Sequence, residues 1–278
     1  MKALYDNVSI ETSKFTTKTY STSFSLGIKF LNKEIQNPIY SIYGFVRVAD
    51  EIVDSFHGYD KQTLLDDFRV DTFKAISQGI STNPILQSFQ AVVNKYNVPH
   101  ELIDTFLDSM EMDLQNLDYD QSTYEKYILG SAEVVGLMCL CVFVYGDKNE
   151  YERLKPSAMK LGSAFQKINF LRDINDDYNA LGRSYFPGID LENFNEKTKA
   201  EIIKDIEKDF QDGYEGILQL PKNSRFGVYI AYIYYYRLLL KIKGLKASEL
   251  FKSRIRIPDN QKYALFLKSF LKHSFNML

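Results

Sequence analysis

The sequence predicts one all-α domain that spans residues 1–278, and three observations lead to that prediction. Apolar residues recur at intervals of three and four along nearly the whole chain, which is the period of amphipathic helices. Hairpin signals do not stand out between these segments. In addition, 45% of the residues are hydrophobic, 25% are charged, and no repeat or low-complexity linker divides the chain. This composition is typical of a globular domain with a large buried core.

Capping residues predict where the helices begin and end. The first segment is expected to begin with Asn37 as its cap and Pro38 in its first turn, and to end at Gly58. The next is expected to run from the cap Asp60 to the stop signal Gly79. Seven further helical patterns cover residues 83–96, 100–116, 122–145, 149–181, 196–217, 226–243 and 259–275.

Two stretches also fit an extended conformation. The segment 226–236 is rich in tyrosine and isoleucine, and "SRIRI" occupies residues 253–257. Both compositions also occur in strands. Because periodicity in a short apolar run does not separate helix from strand, the strand interpretation stays open for these two stretches.

Charge and cysteine content argue against several classes of function. The net charge is −2, and the chain has no zinc-finger spacing, glycine-rich phosphate loop or long basic tract, so no nucleic-acid partner is expected. Cys139 and Cys141 lie two apart on a predicted helix and point in different directions. That spacing favours two buried thiols over a disulfide or a metal site.

The N-terminal sequence and the hydropathy indicate a cytoplasmic protein. "MKALYDNVSIETSK" is too polar for a secretory signal. The most apolar run, residues 226–240, contains Arg237 and is shorter than the roughly 20 residues of a membrane-spanning helix. This run is therefore not expected to span a membrane.

Two aspartates interrupt the apolar stretch "VRVADEIVDSF" in the first predicted helix. At helical spacing, the residues on one face are Tyr43, Arg47, Asp50 and Asp54. A solvated face with an ion pair between Arg47 and Asp50 explains a single pattern of this kind. The first pattern alone therefore does not indicate a site.

A second copy of the pattern favours a functional interpretation. "QKINFLRDINDD" places Gln166, Asn169, Asp173 and Asp177 on one face of a later helix. Like charges cluster unfavourably unless a cation neutralises them. Carboxylates that face each other across a cavity suit Mg²⁺, which binds a few carboxylates together with phosphate oxygens of a substrate. The two motifs therefore predict a metal-dependent site for a diphosphate.

Five blocks of sequence, in their order and spacing, resemble the squalene and phytoene synthase family over nearly the whole chain. The blocks are "STSF" (21–24), "YGFVRVADEIVD" (43–54), "YILGSAEVVG" (127–136), "QKINFLRDINDD" (166–177) and "GRSYFP" (182–187). The resemblance implies the all-α isoprenoid synthase fold, a single helical bundle around a central cavity. It also implies that the protein joins two identical allylic diphosphates head to head.

The resemblance assigns expected roles to individual residues. The catalytic residues that it implies are Tyr43, Arg47 and four aspartates expected to hold Mg²⁺ or Mn²⁺, namely Asp50, Asp54, Asp173 and Asp177. The residues expected to bind substrate are Ser21, Ser23, Phe24, Arg47, Tyr127, Gln166, Asn169, Arg172, Arg183, Tyr185 and Tyr236. Most of the 20 tyrosines of the chain must nevertheless serve packing.

The "STSF" block has a structural explanation as well, and the chain departs from the family pattern at two positions. Ser21, Ser23 and Phe24 also fit a helix cap followed by a core aromatic residue. Tyr20 stands where the family often has histidine, which puts an acid or base role at that position in doubt. Glu51 replaces an aspartate common in the family, but it points about 100° away from Asp50 on a helix, so we expect little effect on the metal.

Small residues mark the helix predicted over 122–145. Gly130, Ala132 and Gly136 either permit close helix packing or leave room for a prenyl tail. Room for the tail is favoured because a lipid substrate needs an apolar tunnel.

The C-terminal region is basic. Residues 241–278 contain nine Lys and Arg against Glu249 and Asp259. "YALFLKSFLKHSF" combines aromatic and aliphatic residues with Lys268 and Lys272. Two interpretations stay open, a solvated face and a peripheral contact with anionic lipid.

The function expected from the resemblance is the condensation of two geranylgeranyl diphosphates to phytoene through a cyclopropylcarbinyl diphosphate, a reaction of carotenoid biosynthesis. No NADPH is expected, since loss of a proton quenches the final cation. The alternative is a squalene or dehydrosqualene synthase that uses farnesyl diphosphate. A more remote alternative is a helical assembly protein without catalysis, although intact aspartate motifs argue against it.

Overall fold

The computed structural model describes residues 1–115, 119–181, 185–189 and 193–257, with backbone alone for 176–181. The described residues form helices joined by turns and short loops, without a strand, which confirms the all-α class. The structure also answers whether the two stretches that fitted a strand are extended. Residues 226–236 are helical, whereas 253–257 form neither helix nor strand. The helix predicted over 259–275 lies outside the described residues.

Eleven α-helices occur in the described part of the chain. In order they are α1 (Lys2–Tyr20), α2 (Thr22–Lys29), α3 (Lys33–Asp54), α4 (Lys61–Gln78), α5 (Pro84–Tyr96), α6 (His100–Met112), α7 (Gln121–Ile128), α8 (Val134–Phe143), α9 (Lys148–Leu181), α10 (Glu196–Gln219) and α11 (Lys222–Gly244). A π-helical segment, Leu129–Glu133, joins α7 to α8, and a short 3₁₀ turn, Ala247–Glu249, follows α11.

Helix α4 has both of its predicted ends. The Asp60 side chain accepts a hydrogen bond of 3.1 Å from the Thr63 backbone N–H and so satisfies one orphan donor of the first turn. Gly79 ends the helix in the left-handed conformation, with φ of 66°. Glycine adopts this conformation without the steric penalty of a side chain.

The predicted start and end of α3 were wrong by about one turn. The Asn32 side chain accepts a 3.1 Å hydrogen bond from the Glu34 N–H and caps the helix, so Asn37 and Pro38 lie inside it. The helix ends at Asp54, and Gly58 belongs to the turn that follows. Asn32 and Asn37 can both cap a helix. The prediction chose Asn37 because Pro38 follows it directly, and proline is common in the first turn of a helix.

Helices α1 and α2 were not predicted, because the buried face of α1 is polar. Ser9, Ser13 and Thr17 are fully buried in α1. Ser13 shares a hydrogen bond of 2.7 Å between hydroxyls with Ser88 of α5. An added Cβ at Gly44 of α3 would lie 2.8 Å from the Ser13 hydroxyl oxygen, so these helices approach closely. Small polar residues thus do the packing that apolar residues usually do.

Two layers of helices enclose a central space. One apolar core joins α3, α4, α5, α6 and α8, where the Phe45 ring stacks on the Phe89 ring with centroids 3.9 Å apart. A second core joins α9, α10 and α11. Residues of α2, α3, α8, α9, α10 and α11 line the cavity between them.

One continuous helical stretch, Gln121–Phe143, is long and apolar enough to cross a membrane by length and composition. Its most apolar window has a mean hydropathy of 1.6 and is 56% buried inside the protein. The core helix of a globular protein has the same properties, so this stretch is weak evidence for a membrane span.

Candidate active site

The cavity has one polar end and an otherwise apolar wall. Its volume is about 390 Å³. The polar end carries Tyr43, Arg47 and Asp50 from α3, and Gln166 and Asn169 from α9. These five residues were all predicted as site residues, and the structure brings them to one cavity. A cavity of this shape fits a ligand with a charged head and a hydrocarbon tail.

The acidic residues of α3 are held by Arg47. Its guanidinium forms ion pairs with Asp50 and Glu51. Burial raises the pKa of Asp50 to about 6, the negative charge of Asp54 adds to this rise, and Arg47 opposes it. The negative charges of Asp50 and Asp54, one helical turn apart, therefore repel each other, which a bound cation would relieve.

Arg47 has unused hydrogen-bonding capacity at the cavity. Its Nε is buried and has no hydrogen-bond partner among the described residues. The guanidinium carbon lies 4.3 Å from the centroid of the Tyr20 ring, a cation–π contact. Tyr20, at the position often occupied by histidine in the family, thus covers the guanidinium. A ligand with acceptor oxygens would satisfy the buried Nε.

Arginines also hold the first aspartate of the α9 motif. Arg172 Nε donates to Asp173 Oδ1 at 2.9 Å, and Arg254 Nε lies 2.7 Å from the same oxygen. Asp173 lies one turn beyond Asn169, which lines the cavity. The side chain of Asp177 lies outside the described residues, so its position at the site stays a prediction.

The two amides of α9 connect to α11. Asn169 Nδ2 donates to Gln166 Oε1 at 3.4 Å, and the Tyr235 hydroxyl donates to Asn169 Oδ1 at 3.4 Å. Burial raises the pKa of Tyr235 to about 12, so its hydroxyl keeps its proton at neutral pH. Tyr235 therefore fixes the orientation of Asn169 at the polar end.

Aromatic rings surround the polar end of the cavity. The Phe24 centroid lies 5.7 Å from that of Tyr43 and 6.4 Å from that of Tyr235. The Phe165 and Tyr235 rings stack with centroids 4.0 Å apart. These rings present apolar faces and π electrons to whatever occupies the space beneath them.

The "STSF" block serves as a cap and also contacts the site. Ser21 caps α2, because its hydroxyl accepts a 3.2 Å hydrogen bond from the Phe24 N–H. Burial raises the pKa of Tyr43, and a side-chain hydrogen bond with Ser21 opposes that rise. Phe24 lines the cavity, and Ser23 is half-buried in α2. The capping interpretation of Ser21 is thus confirmed, whereas the roles of Ser21 and Ser23 in substrate binding stay predictions.

Three predicted tyrosines do not belong to the lining of the cavity. The Tyr127 hydroxyl donates to Asp113 Oδ2 at 2.9 Å, and Tyr185 stacks on Phe170 with centroids 4.3 Å apart. Tyr236 stacks on another tyrosine of α11. Their predicted roles in substrate binding stay predictions. The predicted residue Arg183 lies outside the described residues.

Tyr235, Phe165 and Arg254 were missed in the sequence. On α11, Val228, Ala231 and Tyr235 follow one another at intervals of three and four, and all three line the cavity. This stripe was a usable signal for Tyr235. No signal of that kind marks Arg254, which reaches Asp173 from a loop.

The small residues of α8 and the π-helical segment have different surroundings. An added Cβ at Gly130 would lie 2.5 Å from the Ser109 Cβ, so this glycine permits close helix packing. Ala132 and Gly136 instead line the cavity. Ala132 belongs to the π-helical segment, a kind of structure that occurs frequently at functional sites.

The donors at the polar end fit a hard divalent cation. Asp50 lines the cavity, whereas Asp54, one turn further along α3, does not belong to its lining. The negative charge of Asp54 raises the pKa of Asp50, and a positive ion beside the two carboxylates would relieve that repulsion. Among the residues whose side chains the structure describes, no group of three or more His, Cys, Asp and Glu is assembled as a complete metal site. An ion held here would therefore need further oxygens, such as those of a phosphate or water.

Comparison with known proteins gives one family. The sequence model of squalene/phytoene synthases matches residues 17–261. Presqualene diphosphate synthase from Zymomonas mobilis is 34% identical over 199 residues, which cover 69% of this chain and 63% of that enzyme. Phytoene synthase from Pseudescherichia vulneris is 25% identical over 255 residues, covering 82% and 80%. The match therefore spans less than two thirds of the Zymomonas protein.

Solved structures agree with the fold. A dehydrosqualene synthase in complex with ligand has a TM-score of 0.82 at 20% identity, covering 96% of this chain and 98% of that chain. Squalene synthase HpnC from Alicyclobacillus acidocaldarius has a TM-score of 0.76 at 22% identity, covering 90% and 97%. At these identities the likeness establishes a shared fold and nothing finer.

Proposed function

The chain belongs to the squalene/phytoene synthase family, and from that membership we propose that it condenses two identical allylic prenyl diphosphates head to head. The observation that carries the proposal is a cavity with Arg47 and Asp50 at one end and an apolar wall beyond them. A prenyl diphosphate is divided in the same way as the cavity, into a charged diphosphate head and an apolar prenyl tail. The first step would break the bond between the allylic carbon and the diphosphate oxygen.

Carboxylates from two helices would hold the metal. Asp50 and Asp54 are the proposed ligands on α3, with Asp173 and Asp177 on α9. Bound Mg²⁺ or Mn²⁺ would supply neutralisation of the negative charge that develops on the departing diphosphate. Arg47 and Arg172 would add hydrogen bonds to phosphate oxygens. The buried Nε of Arg47 supports this role, because it has no partner among the described residues.

Aromatic residues would protect the allylic cation. Phe24, Tyr43, Phe165 and Tyr235 surround the polar end of the cavity. Their π faces attract positive charge and leave little room for water, which would otherwise capture the cation. The cation would then bond to the double bond of the second prenyl chain and give a cyclopropylcarbinyl diphosphate.

The finer proposal is that the substrate is geranylgeranyl diphosphate and the product is phytoene. A second ionisation of the cyclopropylcarbinyl diphosphate, rearrangement and loss of a proton lead to this linear polyene. No hydride is consumed, so NADPH is not required. A second candidate function is release of the cyclopropylcarbinyl diphosphate itself, which the 34% identity to a presqualene diphosphate synthase favours.

Contact with anionic lipid through the basic C-terminal region stays a proposal. Within the described residues, Lys243 pairs with Glu207 and Arg254 pairs with Asp173, so part of the positive charge is already neutralised. The stretch that contains Lys268 lies outside the described residues. Sedimentation of the full chain with vesicles, with and without anionic lipid, tests the proposal.

The test of the proposed function is product analysis. Purified protein is incubated with Mg²⁺ and either farnesyl or geranylgeranyl diphosphate, with and without NADPH, and the products are identified by mass spectrometry. Phytoene from the longer substrate without NADPH is expected. A cyclopropylcarbinyl diphosphate as the final product would select the second candidate. Absence of any head-to-head product from both substrates would contradict the proposed function.

A further inference from the structure

A segment with little regular structure follows α11 and reaches α9. This segment, called the strap below, comprises residues 245–257 and contains one 3₁₀ turn. Four of its side chains are nevertheless at most 5% exposed, namely Ala247, Leu250, Ile255 and Ile257. Because buried side chains recur along its length, the strap is packed against the helices in a defined position.

The start of the strap is fastened to the first turn of α10. Lys199 is 5% exposed, and its ammonium group donates to the Leu245 carbonyl and lies 2.9 Å from Glu196 Oε2. The other carboxylate oxygen of Glu196 accepts a hydrogen bond from the Ala247 N–H. A charged group is rarely buried without partners, because its desolvation is costly. The buried charge of Lys199 is therefore used to hold the strap.

The end of the strap lies against the second aspartate motif. The Ile255 N–H donates to the Arg172 carbonyl of α9 at 3.3 Å. Beside this contact, Arg254 places its Nε 2.7 Å from Asp173 Oδ1, and its Nη2 donates to Asp173 Oδ2 at 3.3 Å. The strap thus carries a guanidinium group to Asp173.

Two arginines hold the Asp173 carboxylate. Arg172 donates to Oδ1 from Nε at 2.9 Å and to Oδ2 from Nη2 at 2.5 Å, and Arg254 contacts the same two oxygens. Groups that orient a ligand carboxylate typically change metal affinity about 10–100-fold. Arg172 belongs to the same helix as Asp173, whereas Arg254 does not. The position of Arg254 therefore depends on what holds the strap.

We propose that Lys199 is a positioning residue: it fastens the strap to α10 and so sets the position of Arg254 beside Asp173. Lys199 does not line the cavity, so it would act through the strap. The inference rests on the proposed function where it treats Asp173 as a metal ligand.

Hydrogen exchange of the full chain without ligand, followed by mass spectrometry, tests the position of the strap. In Lys199→Met the Leu245 carbonyl loses its charged donor. Peptides that cover residues 246–257 should then exchange about tenfold faster or more, as expected for the loss of a hydrogen bond to a charged group. Lys199→Arg keeps a charged donor and should restore part of the protection. Lys204→Met, on the exposed surface of α10, is the matched control and should exchange as the wild type.

A binding measurement tests the link between Lys199 and Asp173. The probe is inorganic pyrophosphate, titrated calorimetrically in the presence of Mg²⁺. Arg254→Leu should weaken binding about tenfold, because Asp173 loses one of the groups that orient it. Lys199→Met should also weaken binding, but it should add little when Arg254 is already replaced by leucine. Such non-additivity is expected when two residues act through one contact.

Glu196→Ala tests the proposal even when Lys199→Met does not fold. The Glu196 side chain is 63% exposed, and alanine is a good helix former, so α10 should be retained. The substitution removes the acceptor of the Ala247 N–H. The same peptides of the strap should therefore exchange faster than in the wild type.

The outcomes distinguish the proposed role of Lys199 from the proposed function. Lys241 also contacts the strap, since its Nζ donates to the Arg256 carbonyl at 2.6 Å. Wild-type exchange in folded Lys199→Met and Glu196→Ala proteins would mean that this contact suffices, and would overturn the proposal. An equal loss of pyrophosphate affinity on Lys199→Met with and without Arg254 would also overturn it. If exchange changes as expected but the wild type does not bind pyrophosphate, Lys199 still positions Arg254 and the proposed diphosphate site fails.

Discussion

Asp54 lies at the end of α3, where it is exposed and contributes charge rather than packing. Asp54→Asn should lower turnover by about a hundredfold or more, because it removes a proposed metal ligand and the charge stabilisation that depends on it. The melting temperature should change little, since surface substitutions of this kind have small effects on stability. Turnover and thermal melting are measured on the same preparation.

Asp104→Asn is the matched control for Asp54→Asn. The side chain of Asp104 is half-exposed, and it pairs with Arg69 rather than lining the cavity. This variant should keep full turnover. A large drop in the melting temperature of Asp54→Asn would show that the carboxylate is structural and would contradict its role as a metal ligand.

Substitutions of Tyr20 test whether its aromatic ring or its hydroxyl contributes to activity beside Arg47. A cation–π contact at an exposed site contributes about 0.5–1 kcal/mol, so Tyr20→Ala should raise KM about two- to fivefold. Tyr20→Phe keeps the ring and should behave as the wild type in steady-state kinetics. Loss of activity in Tyr20→Phe would instead indicate a role for the hydroxyl in proton transfer.

Glu133, which is not one of the proposed metal ligands, provides a test of how stability depends on pH. Burial raises its pKa to about 7, Lys160 and Lys167 oppose the rise, and Asp209 adds to it. Because the folded pKa exceeds the usual value of 4.5, the folded state holds this proton more tightly, and Glu133 lowers stability as pH rises from about 4.5 to about 7.

Glu133→Gln removes that dependence. Its melting temperature should match the wild type near pH 5 and exceed it at pH 8. Melting curves over this range check the expected outcome. A difference between variant and wild type that is independent of pH would contradict the raised pKa.

How well a helix could be predicted from the sequence depended on which residues fill its buried face. Asp60 and Gly79 bound α4 where the sequence predicts, because a capping carboxylate and a glycine with positive φ act locally. Helix α1 buries Ser9, Ser13 and Thr17, so hydrophobic periodicity could not reveal it. Polar packing of this kind depends on partners far along the chain, such as Ser88.

The site was predictable to a similar extent. Arg47, Asp50 and Asn169 could be found because charged or amide residues at helical spacing interrupt apolar segments. On α11, the intervals of three and four that join Val228, Ala231 and Tyr235 were a usable signal for Tyr235. The neighbouring Tyr234 and Tyr236 obscured that signal, because tyrosine is frequent throughout this helix.

Two glycines test the role of close packing between helices. Gly130→Ala should destabilise the protein by about 1–3 kcal/mol, because its Cβ would collide with Ser109 and force neighbouring helices apart. Gly244→Ala should be neutral or stabilising by up to about 1 kcal/mol, since nothing lies within 4 Å and alanine favours the helix. Chemical denaturation measures both, and equal effects would contradict the packing argument.

At the scale of the whole molecule, distant parts of the chain build one cavity. Phe24 near the N-terminus and Tyr235 of α11 meet at its polar end, and Leu31 packs against Gly227 in its apolar wall. The single domain over residues 1–278 stays a prediction. In the proposed function, the charged head of one substrate would lie at the polar end and its tail along the apolar wall.

The central claim is the proposal that the aspartate motifs of α3 and α9 hold one metal–diphosphate site at the polar end of the cavity. The most direct test is a crystal structure of the protein with Mn²⁺ and geranylgeranyl thiolodiphosphate, in which anomalous scattering locates the metal. We expect Mn²⁺ bound to the diphosphate between Asp50 or Asp54 and Asp173 or Asp177, with the prenyl chain against the apolar wall of the cavity. Mn²⁺ bound to one helix alone and facing solvent, with the cavity empty, would contradict the claim.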